Sequence, residues 1–306
     1  MKLKIAINIK NINNSYGGGN QFLNCLTSHL KKKNFIIKNN LRDSDIDLIL
    51  LIDPRLRHPL LNFSIGQIFR YVKYKNPNAI VVHRVNECDE RKNTNFMNKL
   101  LKFSNNIADH TVFTSRWLKK LDVSQKGPSS LIYNGPDKVI FYPRKYKKIY
   151  PPYKIITHHW SDNWMKGFDT YKKIDDLINR KFWNKKIQFT YIGRIPKNFK
   201  FKNTKVLKPI HGKKLSDEIC KHHIYVTGSI NEPGGNHQHE GALCGLPLLY
   251  IKSGAFPEQC KDFGVEFKLK SFEKSLLKII KTYTKYYRKM KFYPFTSDRM
   301  INNYEK

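Results

Sequence analysis

Acidic residues are scarce in this chain. Against 57 Lys and Arg stand 24 Asp and Glu, a formal net charge of +33. A self-neutral surface is excluded, and the excess points to an anionic partner: a membrane surface, an acidic glycan or a nucleic acid. The chain is also rich in Asn, Ile, Tyr and Phe, the mixture an AT-rich coding sequence imposes, so the charge has a compositional explanation beside the functional one. Long hydrophobic runs are missing too. No stretch reaches the ~18 apolar residues that would suggest a membrane span. The opening MKLKIAINIKN is too short and too interrupted for a signal-peptide core and reads as a first β-strand. Cysteine is sparse. Cys25, Cys88, Cys220, Cys244 and Cys260 are scattered, odd in number and form no C-x-x-C pair, which argues against a disulfide framework or structural zinc and for a reducing compartment. A cytoplasmic protein, peripheral to a membrane, is the expectation.

What is present is a globular composition, 40% hydrophobic and 13% aromatic, over 306 residues. That length suits two domains of about 150 residues. Strand-like and helical segments alternate. KIAINI is followed by an amphipathic helix over 18–32 with Phe22, Leu23, Leu26 and Leu30 on one face. IDLILLI (46–52), AIVVHRV (79–85), HTVFTS (110–115) and SSLIYN (129–134) read as strands, with helices near 64–74, 94–106 and 115–121. Around 141–153 the pattern stops in FYPRKYKKIYPPYK, with three prolines and five basic residues. Alternation then resumes through strands at 153–157, 187–193, 223–228 and 247–251, and helices at 167–180, 213–221, near 236–244 and 271–287. Strand–helix alternation implies parallel sheets. The expected organisation is an N-terminal Rossmann-like lobe over 1–143, a linker over 144–152, a C-terminal Rossmann-like lobe over 153–290, and a closing helix over 291–306 packing back toward the first lobe. Such lobes hold ligands at the carboxyl ends of their strands.

Five segments carry chemistry. In SINEPGGNHQHEGALCGLPLLY (229–250) a strand leads through a glycine turn into a helix opening near Asn236. Backbone N–H groups at such an opening suit a diphosphate, and the carboxylates of Glu232 and Glu240 can accept from vicinal hydroxyls. The plain alternative is a surface helix with a capping Glu. In THHWSDNWMKGFDTYKKID (157–175), Lys166-Gly167 opens a helix, an unfavourable place for a cation unless an anion binds there. LIYNGPDKVIFYP (131–143) holds a tight Asn134-Gly135 turn. SYGGGNQF (15–22) brings Gly18 and Gly19 after the first strand, where backbone can approach a ligand; G-x-G-x-x-G is not completed because residue 22 is Phe. In HRVNECDERK (83–92), His83 and Arg84 are expected to emerge at a strand's carboxyl end. Two signals point elsewhere. Asp43, Asp45 and Asp47 form D-x-D pairs, more simply read as solvated acids before a strand. His237-x-His239, with His222-His223, would need a third ligand to hold a metal, so none is expected.

The 229–250 segment resembles the E-x7-E signature of retaining GT-B glycosyltransferases, and 157–175, 131–143, 15–22 and 83–92 are similar to that family's other motifs. The resemblance implies two Rossmann-like lobes facing a cleft and a metal-independent transfer of sugar, with retention, from a UDP- or GDP-linked donor to a hydroxyl acceptor such as a glycan, a lipid or a protein-linked sugar. It implies no cofactor beyond that co-substrate. It places Glu232 on the donor sugar, Gly234 and Gly235 with Asn236 and His237 beside sugar and phosphate, Glu240 on the ribose, Lys166-Gly167 and Gly18-Gly19 at the phosphates, and His83 and Arg84 on the acceptor side. Lys166, Glu232 and His83 are the catalytic candidates. Two departures stand out. Gly234 replaces the usual aromatic, and the usual upstream Arg is missing: His158, His159, Trp160 and Ser161 occupy its place, leaving His159, Ser161 or Arg194 to supply the contact. That absence motivates a nucleotide-sugar binding protein without turnover as an alternative, and +33 motivates a nucleic-acid binder, although no specific nucleic-acid motif is seen.

Overall fold

The computed structural model describes residues 2–11, 18–123, 127–144 and 148–305. Ser15, Tyr16 and Gly17 of the glycine segment, and 145–147 of the proline-rich stretch, lie outside the described residues. The chain forms two compact units. The first runs β1 (Lys4–Ile7), α1 (Gly18–Lys32), β2 (Ile36–Lys38), β3 (Leu48–Leu51), α2 (Ile65–Tyr74), β4 (Ile80–Val85), α3 (Asp89–Lys92), α4 (Met97–Ile107), β5 (His110–Phe113), α5 (Arg116–Lys119) and β6 (Ser129–Leu131). Its strands make one parallel sheet in the order β2-β1-β3-β4-β5-β6. Strand side chains alternate between two cores. Ile5 and Ile7 pack with Phe22, Leu23 and Leu26 of α1 on one face. Ile49, Leu51 and Val81 pack with Ile65 and Ile68 of α2 on the other. α2 starts on a full capping box, Ser64 with Gln67.

The second unit runs β7 (Tyr153–His159), α6 (Phe168–Ile178), β8 (Ile187–Gly193), β9 (Lys205–Leu207), α7 (Gly212–Ile219), β10 (Ile224–Thr227), α8 (His237–Leu243), β11 (Leu248–Ile251), α9 (Phe256–Cys260), β12 (Gly264–Phe267), α10 (Phe272–Lys281) and α11 (Tyr283–Met290). Its parallel sheet has the order β12-β11-β10-β7-β8-β9. The chain starts in the middle, builds outward to β9, then returns beside β7 as β10. The strand order therefore reverses between β7 and β10, and a crevice opens at the carboxyl ends of strands at such a switch point.

The units divide at Asn134–Gly135, ahead of the boundary at 143. Phe141 is the reason: it is buried in the second unit's core with Ile156, Ile192 and Leu215. α12 (Ser297–Tyr304) closes the chain. Its Met300 and Ile301 join the first unit's core beside Phe22, and the Tyr304 ring lies 5.2 Å from that of Phe22.

Candidate functional site

The second unit gathers its candidate residues at the switch point. β7 ends at His159, and the chain turns through Trp160–Asn163. The Asn163 side chain accepts from Met165 N–H at 2.8 Å and caps a 3-10 turn over Trp164–Lys166. Gly167 comes next with φ +105°, a left-handed conformation that favours glycine. Space makes the same demand. A Cβ on Gly167 would lie 2.4 Å from the carbonyl carbon of Gly228, and one on Gly228 would lie 2.5 Å from the Thr170 side chain. Two backbones thus touch where β7 and β10 end. The contact is sealed by Ile230 N–H donating to Met165 C=O at 2.7 Å.

This close approach puts Lys166 against Glu232. The ammonium lies 3.0 Å from Glu232 Oε2, and Ser229 Oγ donates to the same oxygen at 3.0 Å. The Glu232 backbone is braced from behind: its carbonyl accepts from Ala255 N–H at 2.9 Å, and Gly254 approaches so closely that a Cβ there would lie 2.5 Å from Glu232 N. Gly235 is packed between Glu232 and His237, with 3.0 Å from its Cβ position to Glu232 Cγ. His237 pairs through Nε2 with Thr227 Oγ1 at 2.8 Å. Burial holds its pKa well below the ordinary imidazole range, with Glu232 opposing and Lys166 adding to the shift, so the ring is neutral at pH 7. A cation, a carboxylate and a neutral imidazole share one largely buried site. Such a set can hold an anion beside a polyol.

Glu240 lies differently from Glu232. It is 1% exposed, in the seven-residue α8, and its Oε2 sits 2.6 Å from His158 Nε2. His158 stands where the upstream Arg is missing. Its ring is held between two partners. Tyr225 Oη accepts from the His158 backbone N–H at 3.3 Å and lies 3.0 Å from Nδ1, while Nε2 faces Glu240. His158 thus orients Glu240 at the position of the missing Arg. His159 hydrogen-bonds Tyr171. Ser161 Oγ accepts from Asn163 N–H at 3.2 Å and so shapes the turn. Arg194 stands just past β8, exposed, its backbone N–H on His159 C=O at 3.3 Å.

Gly18 and Gly19 open α1, and a Cβ on Gly19 would meet nothing within 4 Å. In the first unit, His83 and Arg84 do not emerge from their strand. β4 runs on to Val85, and both side chains are buried in the unit's interior. His83 Nδ1 lies 2.6 Å from Asn105 Oδ1 of α4, and burial lowers its pKa to about 4, with that hydrogen bond opposing. Arg84 points to the opposite face. It donates to Asn134 Oδ1 at 2.8 Å and stacks 4.0 Å over the Phe22 ring.

The acidic and histidine signals have protein partners. Asp43 and Asp45 neutralise the Lys4 ammonium at 3.2 and 2.6 Å, and Asp47 accepts its backbone N–H at 2.7 Å. His239 turns away from His237, to Tyr293 Oη at 2.6 Å, and His222 bonds Thr190 at 2.9 Å. Among the described residues no three His, Cys, Asp or Glu converge as a metal site. Sequence reasoning missed Gly228, Ser229 and Tyr225. A glycine directly after an apolar strand was the available signal for Gly228; nothing local marked the other two.

No protein-family model matches the chain, and no curated protein matches it in sequence. Solved structures do match in shape. Sucrose-phosphate synthase from Thermosynechococcus elongatus superposes with a TM-score of 0.71 at 14% identity, covering 100% of this chain and 98% of that one. A glycosyltransferase from Rickettsia africae gives 0.68 at 12% identity, covering 99% and 97%. Anabaena HepE, solved with UDP-glucose, gives 0.65 at 10% identity, covering 99% and 98%. These likenesses run the length of both chains, and with the two six-stranded parallel sheets they make the fold of this protein the GT-B fold of glycosyltransferases.

Proposed function

We propose that this protein is a glycosyltransferase that moves a sugar from a nucleoside-diphosphate donor to a hydroxyl acceptor, with retention and without a required metal. The observation that carries this reading is the Lys166–Glu232 pair at the β7/β10 switch point, 3.0 Å apart and held there by the Gly167–Gly228 contact. Glu232 accepts from donor-sugar hydroxyls, and Gly234 and Gly235 let the ligand approach the backbone. Lys166, with Arg194 just past the end of the neighbouring strand β8, stabilises charge developing on the leaving diphosphate, the work a divalent ion does in metal-dependent transferases. Glu240, oriented by His158, holds the ribose. The fold's likeness to glycosyltransferases, one of them solved with UDP-glucose, supports a sugar-nucleotide donor. The acceptor is a glycan or a lipid-linked sugar, reached at an anionic membrane surface.

Calorimetry with UDP and GDP, then transfer assays over a panel of sugar nucleotides, tests the reading. The expected result is nucleotide binding, product that keeps the donor's anomeric configuration by NMR, and turnover that survives EDTA. Failure to bind either nucleotide sinks it. One observation favours a second reading: the family's upstream Arg is replaced by a His already committed to Glu240. Tight nucleotide binding with no donor turned over would make this a sugar-nucleotide binding protein.

A further inference from the structure

In the first unit, the crossovers β3-α2-β4 and β4-α4-β5 step in one direction across the sheet, and right-handed connections put both helices on the same face. Packing agrees: Ile107 at the end of α4 lies against the cluster holding Ile65, Ile68 and Tyr71 of α2. With those residues inward, α2 turns Phe69, Arg70, Lys73 and Tyr74 outward, and α4 turns out Lys99 and Phe103. Neither helix contains an Asp or Glu. Among the described residues, every exposed large hydrophobic that stands on an α-helix stands on these two: Phe69 at 41%, Tyr74 at 74% and Phe103 at 49%. The Lys73 ammonium lies 5.6 Å from the Phe69 ring centroid and 5.1 Å from that of Tyr74.

A single exposed aromatic needs no explanation. Three of them, interleaved with cations on helices that carry no acid, do. We propose that the outer face of α2 and α4 docks on an anionic lipid bilayer. Rings at the edges of the face enter the headgroup layer, and Arg70, Lys73 and Lys99 meet lipid phosphates and carboxylates, their stems lying along the apolar boundary. Single-stranded nucleic acid also takes cations with aromatics, but it needs a groove that tracks its backbone and stacks its bases, and two helices side by side on a sheet present ridges. The proposal deepens the membrane part of the transferase reading by assigning the surface that docks, and its test is separable from that reading because vesicle binding is measured with no donor present.

The test is co-sedimentation of the full chain with vesicles of phosphatidylcholine alone or mixed with phosphatidylserine. The wild-type chain is expected to pellet with the anionic vesicles only. Arg70→Glu with Lys73→Glu should lower that partition by about tenfold or more, since each cation near such a surface contributes roughly a factor of five and reversal adds repulsion. Lys274→Glu with Lys278→Glu, the same charge change on exposed residues of α10, should leave partition within about twofold at the same ionic strength. Phe69→Ser with Tyr74→Ser should abolish the part of the binding that resists added salt. Equal losses from the two charge-reversal pairs would mean diffuse attraction by +33 and would overturn the proposal. So would absence of vesicle binding, or binding of an RNA oligonucleotide that the α2 reversal removes while vesicle binding is unchanged. Lys99→Glu on α4 gives an independent second variant should the α2 pair fold poorly.

Discussion

Lys166 with Glu232 in one unit and His83 with Arg84 in the other look alike in sequence: polar residues at or beyond an apolar strand. Their fates differ because of where each strand stops. β7 ends at His159, and the chain is turned back by Asn163 and Gly167, so Lys166 lies at the switch point. β4 continues past His83 to Val85, so its polar residues are sandwiched between sheet and helices. There each makes a core bond, His83 to Asn105 and Arg84 to Asn134. A polar residue near a strand end is drawn into the core where the strand continues past it, and left at the strand ends where the backbone has already turned away from the sheet.

Four experiments break or sharpen that contrast. The largest effect is expected from Gly167→Ala. It loses both the left-handed conformation and the 2.4 Å approach to Gly228, so it should destabilise the chain by about 3 kcal/mol or more and abolish nucleotide binding, read by denaturant melts and calorimetry. An unchanged melt would show that the two backbones can part without cost. Next is Glu240→Ala, which leaves His158 buried opposite a cavity; leaving a buried polar group without its partner costs about 1–3 kcal/mol, so stability and donor affinity should fall together, and Glu240→Gln should restore most of the stability. An intact fold with only the donor KM raised would show that Glu240 serves the ligand while its pair with His158 adds nothing to stability.

The pH response comes third. His83, at about 4 when folded, titrates near 6.5 when unfolded. Above 6.5 both states are neutral and the linkage is silent. As pH falls from 6.5 to 4 only the unfolded chain takes up the proton, so stability drops by on the order of 1 kcal/mol per pH unit for this residue. His222, also near 4, adds to the slope. His83→Gln should flatten the acid limb of a stability–pH curve without touching nucleotide affinity; loss of affinity would return His83 to the site. The smallest effect is expected from Arg194→Ala. The side chain is exposed, so the melt should shift by less than about 0.5 kcal/mol while donor affinity falls a few-fold.

Much of the frame was legible beforehand. Helical periodicity located α1 at 18–32 with its buried face, because that face is written into spacing alone. IQFTYIG coincides with β8. The three-residue strands β2 and β9 passed unseen, since so short a run carries no period, whereas β6, as short, was read within the longer segment SSLIYN. The single helix read over 271–287 breaks at Thr282 into α10 and α11, because apolar spacing continues through a bend that the backbone does not.

The sequence by itself determined two parallel α/β units, the place of the E-x7-E segment and the Lys-Gly turn, because those arise from local alternation and from glycines that any backbone reads alike. Tertiary structure decided who meets whom. Lys166 and Glu232 are 66 positions apart, and His158 and Glu240 are 82 apart. No local pattern encodes such pairs. They exist because β10 returns beside β7, so that residues remote in the chain end at one edge of the sheet. That return divided the two glutamates that the sequence presents as equals: both are buried, but Glu232 pairs with the Lys166 ammonium and Glu240 with the His158 imidazole.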